Sequence, residues 1–160
     1  MTPAIELLIK QSIPYQLHEY QHDPGCQAYG LEAAEKIGVP VEQVFKTLVV
    51  KLDSKQLAVA IIPVANKLSL KAIAKAAKAK KAVMAEAMEV QRSSGYVLGG
   101  VSPIAQKRRL PTFIDDSSNK LASIYVSGGR RGLDIALSPK DLQQLLQANY
   151  ASLTVSNLGD

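Results

Sequence analysis

The segment at residues 44–51 constrains the fold most strongly, because β-branched and aromatic side chains predominate in it, as they do in strands. Side chains of a strand alternate between its two faces, so Lys46 shares a face with Leu48 and Val50. That face is otherwise apolar. Two interpretations of Lys46 are open. In the first, the aliphatic stem covers apolar surface while the ammonium stays in water. In the second, the ammonium is held at the rim of a pocket.

The rest of the chain predicts a mixed α and β fold (α+β). Residues 57–62 are almost continuously apolar and follow a short polar connection, which indicates an antiparallel hairpin with residues 44–51. Thr2 and Ser69 are suitable helix caps. Helices are expected at residues 2–13, 31–37, 69–79, 86–92 and from residue 138 onward. Further strands are expected at residues 15–20, 82–84, 112–115, 122–127, 133–136 and 152–156.

The length of 160 residues predicts one domain, residues 1–160, with a single substantial core. No apolar run approaches the roughly 20 residues needed to cross a bilayer, and the N-terminus has no signal-peptide pattern. Cys26 is the only cysteine, which excludes an internal disulfide. These features predict a cytoplasmic protein without a membrane partner.

Basic side chains are clustered in this chain, whose formal net charge is +5. Lys71, Lys75 and Lys78 have helical spacing and share one face of the helix expected at residues 69–79. Such a run is either a solvated surface or a contact to nucleic-acid phosphates, for which lysine is sufficient. The charge favours a polyanion, and we expect RNA rather than DNA.

The chain offers no protein nucleophile in a familiar setting. A covalent hydrolase needs Ser or Cys beside a histidine base, and the two histidines, His18 and His22, lie in no such context. Together with Cys26 they match no metal-ligand pattern, and no phosphate-binding glycine loop is present. The Gly99-Gly100 pair predicts a tight turn that a ligand can approach closely. We therefore expect no metal and no cofactor.

Three motifs resemble one family when they are taken together. They are FKTL at residues 45–48, GGVSP at residues 99–103 and YVSGGRRGLD at residues 125–134. The combination resembles the YbaK/EbsC family of freestanding aminoacyl-tRNA deacylases and, within it, the bacterial Cys-tRNA(Pro) deacylases. The similarity runs over nearly the whole chain.

The resemblance implies a fold and an activity. The expected core is a six-stranded, partly closed mixed β-barrel flanked by helices, as in the editing domain of bacterial prolyl-tRNA synthetases. The expected reaction is hydrolysis of cysteine mischarged onto tRNA(Pro), with prolyl-tRNA synthetase as the expected partner. Two alternatives stay open: a related deacylase for another substrate such as Ala-tRNA(Pro), or a non-catalytic module that binds tRNA or a synthetase.

The resemblance also assigns residues. The family's essential lysine falls on Lys46 and its backbone turn on Gly99 and Gly100. The substrate pocket is expected to contain Tyr20, Tyr29, Thr47, Ser127 and Asp134. Tyr29 stands where the resemblance implies phenylalanine. For tRNA-backbone contacts we expect Lys71, Lys75, Lys78 and Arg130.

An aminoacyl ester is already activated, so a protein can promote its cleavage by holding it and stabilising the developing oxyanion. We expect Lys46 to anchor the phosphate of the terminal adenosine or to polarise the ester. Backbone amides of Gly99 and Gly100 would face the carbonyl, and Asp134 would bind the substrate's ammonium. Bond formation is left to water or to the substrate itself, and the reaction is lyase-like if the cysteine thiol cyclises.

Overall fold

The computed structural model describes residues 1–155. Five α-helices are present, α1 (Pro3–Lys10), α2 (Tyr29–Ile37), α3 (Leu70–Ala76), α4 (Ala87–Ser94) and α5 (Pro139–Leu146). The strands are β1 (Gln16–Glu19), β2 (Phe45–Leu52), β3 (Leu57–Pro63), β4 (Ala82–Met84), β5 (Thr112–Asp115), β6 (Ile124–Arg130), β7 (Leu133–Leu137) and β8 (Asn149–Ala151). Short 3-10 helices cover Val41–Gln43 and Asp116–Lys120.

The strands form two sheets. A five-stranded sheet has the order β4-β2-β3-β5-β8, and a three-stranded sheet has the order β1-β7-β6. The predicted hairpin is confirmed, because β2 and β3 pair antiparallel from Phe45 opposite Pro63 to Lys51 opposite Leu57. In contrast, β5 pairs parallel with both β3 and β8.

An isolated parallel bridge between Val44 and Tyr125 connects the two sheets. The sheets are thereby brought side by side without closing into a complete barrel. Residues 1–155 contain eight strands, which is the number that the residue patterns predicted, whereas the resemblance implied a six-stranded core. The mixed α+β class with a partly closed sheet arrangement is confirmed.

The core lies on both faces of β3, all of whose residues are buried. One face contributes Val59 and Ile61 to a cluster that also contains residues of α1 and β7. The other face packs against Ile73 and Ala74 of α3. The near-continuous apolar character of β3 therefore reflects cover on both sides, as its sequence indicated.

Several predicted boundaries are wrong. Helix α1 ends at Lys10 rather than at residue 13, and β6 spans Ile124–Arg130 rather than residues 122–127. Helix α3 ends at Ala76, because the chain turns at Lys78, whose φ is +58°. Helix α2 begins at Tyr29, two residues before the predicted start. The final strand is Asn149–Ala151 rather than residues 152–156, since it pairs with β5, and Thr154 forms only an isolated bridge. Residue 156 lies outside the described residues.

None of the helices in residues 1–155 combines the length and the apolar character that crossing a membrane requires.

Candidate active site

A cavity of about 700 Å³ opens between β2, the start of α2, the loop that follows α4, and the three-stranded sheet. This size falls in the range of ~300–1,000 Å³ typical of small-molecule sites. Seven of the residues that sequence reasoning selected line it: Tyr20, Tyr29, Lys46, Thr47, Gly99, Ser127 and Asp134. Gly100, Arg130 and the three lysines of the basic cluster do not.

Part of the cavity wall is an open strand edge. Strand β4 pairs with β2 only along Val50–Leu52, and the Ala85 amide donates to the Val49 carbonyl at 3.0 Å. No strand in the described part of the chain pairs with that edge at residues 46–48. Backbone polar groups alternate in direction along a strand, so those of Thr47 point to the same side as the Val49 carbonyl. A ligand in the cavity can therefore reach backbone as well as side chains.

Lys46 is a half-buried cation without a carboxylate partner. None of the ion pairs found among residues 1–155 includes it. Desolvation by burial lowers the pKa of its ammonium. An ammonium that has lost part of its water and has no counter-charge attracts an anion or a polarised carbonyl more strongly than an exposed one does.

The Thr47 hydroxyl is also unpartnered. Its Oγ1 is buried and forms no hydrogen bond within the described residues. Buried polar groups are nearly always satisfied in proteins, so this orphaned hydroxyl in the cavity wall is an exception.

Asp134 and Ser127 are directly opposite each other on β7 and β6. Asp134 is only 6% exposed, and burial raises the pKa of its carboxyl group to about 7. Ser127 Oγ accepts a hydrogen bond from the Gly129 amide at 3.2 Å. Near neutral pH the Asp134 carboxyl therefore exists in both protonation states, and a bound cation would favour its ionised state.

Tyr20 follows β1 and is fixed by its amide, which donates to the Gly132 carbonyl at 2.9 Å. Burial, and then the charges of Asp134 and Glu32, raise the pKa of its hydroxyl to about 12. The phenol is therefore protonated at neutral pH and presents a hydrogen-bond donor to the cavity.

The glycine pair forms the turn that its sequence predicts. Gly99 has φ +84° and lines the cavity, whereas the Gly100 amide donates to the Val97 carbonyl at 3.0 Å. Gly100 is buried behind the turn, where an added Cβ would lie 2.7 Å from the Arg130 Cα. The two glycines thus have different roles. Gly99 faces the cavity, and Gly100 allows the turn to pack closely against the backbone of Arg130.

Sequence reasoning missed the buried carboxylate of Glu32, which holds the segment between Tyr20 and Tyr29. Glu32 is 6% exposed and accepts hydrogen bonds from His22 Nδ1 at 2.6 Å and from the Asp23 amide at 2.8 Å. Lys36 Nζ lies 3.3 Å from its Oε2. Burial raises the pKa of this carboxyl, but these donors outweigh that effect and lower it to about 2. The spacing of Glu32 and Lys36 by four residues was the one available signal.

Residues expected to bind the tRNA backbone are all exposed and lie outside the cavity. Lys71 and Lys75 are on α3, Lys78 is in the turn that follows it, and Arg130 lies 3.6 Å from Glu19. The Cys26 thiol does not line the cavity either. The cavity thus presents a cation, a titratable carboxyl, four hydroxyl side chains and open backbone, which suits binding and polarisation of a polar ligand.

Comparison with known families gives one clear match. Residues 24–145 match the model of the aminoacyl-tRNA editing domain. A protein of Enterococcus faecalis, named as a candidate Cys-tRNA(Pro)/Cys-tRNA(Cys) deacylase, EbsC, is 31% identical over 153 residues, which cover 96% of this chain and 93% of that protein.

Two solved structures share the fold. The hypothetical protein APE2540 has a TM-score of 0.86 at 24% identity, with 96% of this chain and 100% of that chain covered. A protein described as a candidate trans-editing enzyme for prolyl tRNA synthetase has a TM-score of 0.81 at 22% identity, with 98% and 99% covered.

Proposed function

The chain belongs to the aminoacyl-tRNA editing domain family, and on that premise we propose that it removes cysteine from mischarged tRNA(Pro) as a freestanding deacylase. The aminoacyl ester is the bond cleaved, and the products are free amino acid and uncharged tRNA. The activities for which the Enterococcus faecalis relative and one structural neighbour are named support the choice of substrate.

The observation that carries the proposal is that the unpaired ammonium of Lys46 and the orphaned hydroxyl of Thr47 line one cavity. Both belong to the open edge of β2 inside a cavity that also contains Asp134. An ester carbonyl bound at this edge would be polarised by Lys46. The substrate's α-ammonium would pair with Asp134, whose carboxyl is otherwise kept partly protonated by burial.

Catalysis then needs no protein nucleophile. Water attacks the polarised carbonyl, and the ribose oxygen leaves with a proton as the tRNA hydroxyl. For cysteine, the thiol can instead attack its own carbonyl, transferring its proton to the leaving ribose oxygen and giving a cyclic thioester that water opens. In either route the protein acts by positioning the ester and stabilising charge on its oxygen.

Strict selectivity for the amino acid is not expected from the cavity alone. An apolar pocket distinguishes small side chains by only about 1–3 kcal/mol. We propose that prolyl-tRNA synthetase supplies part of the tRNA selectivity.

The direct test is the release of labelled cysteine from Cys-tRNA(Pro) by the parent protein and by Lys46→Met, which keeps the apolar stem and removes the charge. Lys51→Met is the matched control, because Lys51 is also half-buried on β2 but is paired with Glu89 at 2.6 Å and lies outside the cavity. We expect loss of release only in Lys46→Met, with both variants folded by circular dichroism.

The remaining candidate functions predict other outcomes. Release of alanine but not cysteine by the parent would indicate a deacylase for Ala-tRNA(Pro). Binding of tRNA without release of any amino acid, with or without synthetase, would contradict the deacylase and indicate a binding module of the same fold.

A further inference from the structure

Arg131 lies at the mouth of the cavity, in the turn between β6 and β7. Its Nε donates to the Leu98 carbonyl at 2.9 Å, and its guanidinium carbon lies 5.1 Å from the centre of the Tyr29 ring. Leu98 and Tyr29 both line the cavity. The guanidinium is therefore held between two walls of the site by one hydrogen bond and one cation–π contact.

The charge of Arg131 is not neutralised within the described residues. None of the ion pairs in residues 1–155 involves it, whereas the neighbouring Arg130 lies 3.6 Å from Glu19. The side chain is exposed, and the bond to Leu98 uses only Nε. Both terminal nitrogens of the guanidinium stay available, and their planar fork matches the geometry of a phosphate.

The turn at Gly99 is shaped to accept this arginine. A Cβ added to Gly99 would lie 2.6 Å from Arg131 Nε and 2.9 Å from Tyr29 Cζ. Gly99 is thus needed for more than its positive φ, because a side chain there would displace both the arginine and the aromatic ring beneath it.

We propose that Arg131 binds the phosphate on the 5′ side of the terminal nucleotide of the aminoacylated RNA. The inference rests on the proposed function. With the ester on the edge of β2, the terminal nucleoside fills the cavity, and its 5′ phosphate is left at the mouth. Among the described residues Arg131 is an unpaired cation placed there, and Lys46 then acts on the ester rather than on this phosphate.

Short substrates isolate this contact. Cysteinyl adenosine 5′-monophosphate, acylated on the ribose, carries the phosphate, and cysteinyl adenosine does not. We expect Arg131→Gln to raise KM about 10-fold to 100-fold for the first substrate, with kcat nearly unchanged, as for loss of a charge-assisted hydrogen bond. For the second substrate KM should stay at the parent value.

Three variants complete the test. Arg92→Gln, an exposed change on α4, should leave both substrates unaffected, and Arg131→Lys should restore part of the phosphate preference. An equal loss on both substrates in Arg131→Gln would overturn the proposal and leave Arg131 with a structural role at the Gly99 turn. Loss of the phosphate preference in Arg130→Gln instead of Arg131→Gln would overturn it as well.

A binding measurement separates this inference from the deacylase proposal. If the parent cleaves neither substrate, calorimetric titration with adenosine 5′-monophosphate and with adenosine still reports the phosphate contact. Tighter binding of the nucleotide by the parent, lost in Arg131→Gln, supports the site in the absence of catalysis. Equal binding of the two ligands by the parent overturns it.

Discussion

Replacing Asp134 with asparagine should stabilise the folded protein at pH 8 and leave its stability almost unchanged near pH 4. The carboxyl is 6% exposed, and burial raises its pKa from 3.8 to about 7. Between these values the unfolded chain has lost the proton while the folded chain still binds it. Folding stability therefore falls as pH rises from about 4 to 7 and then stays low.

The size of the effect follows from the two pKa values. They differ by about 3, and each pKa unit corresponds to about 1.4 kcal/mol, so ionisation of Asp134 costs the folded state about 4 kcal/mol at pH 8. Asparagine resembles the protonated acid in size and stays neutral. The difference in unfolding free energy between the variant and the parent should then grow by about 4 kcal/mol from pH 4 to pH 8.

Urea unfolding of both proteins at several pH values measures this difference, in which contributions of other titrating groups cancel. The matched control is Asp115→Asn. Asp115 is 4% exposed but accepts hydrogen bonds from the Leu153 amide at 2.9 Å and the Ser117 hydroxyl at 2.6 Å. Its replacement should destabilise the protein. An Asp134→Asn variant that is no more stable than the parent at pH 8 would refute the assignment of a desolvated carboxyl.

Three further changes test the remaining assignments. Glu32→Gln should lower the unfolding free energy at pH 7 by about 1–3 kcal/mol, because it leaves buried donors without their acceptor. The loss should shrink in urea titrations as pH falls from 4.5 towards 2, through the lowered pKa of Glu32; a loss that does not depend on pH would contradict this reasoning. Reversing Lys71, Lys75 and Lys78 to Glu should weaken tRNA binding and flatten its salt dependence, measured by filter binding, whereas unchanged affinity would identify a solvated surface. Cys26→Ala should keep the parent's rate of cysteine release; a folded variant without activity would contradict the mechanism that uses no protein nucleophile.

Local sequence patterns were sufficient wherever a local cause fixes the structure. The β2–β3 hairpin was predictable because the β-branched content of the first strand, the apolar run of the second and the short polar connection between them are all local features. The caps of Thr2 and Ser69 form as expected, since each side chain accepts a bond from an amide three residues later.

Features that depend on distant parts of the chain were not predictable in the same way. Strand β8 is defined by its parallel pairing with β5, and no local pattern distinguishes it from the residues that follow. The buried state of Glu32 depends on its bonds to the segment near His22, ten residues away along the chain. Without such bonding partners, a charged residue of an amphipathic helix belongs to the side that faces solvent.

The two arginines at the end of β6 illustrate why the site itself was only partly predictable. Register in β6 shifts between Ser127 and Arg130, so side-chain alternation counted from Ser127 does not continue through the turn. A sequence cannot reveal such a shift, and Arg130 and Arg131 are equivalent by composition. In the folded chain Arg130 faces Glu19, whereas Arg131 reaches Leu98 at the cavity mouth.

Burial pushes Lys46 and Asp134 towards their neutral forms, and each lacks a charged partner within residues 1–155. A core optimised only for stability would pair these groups or replace them, since a desolvated charge opposes folding. Their persistence in one cavity is explained if the partner comes with the substrate. An aminoacyl ester brings an ammonium for Asp134 and a polarisable carbonyl for Lys46. Binding of the ester therefore recovers part of the free energy that burial of these unpaired groups costs the folded protein.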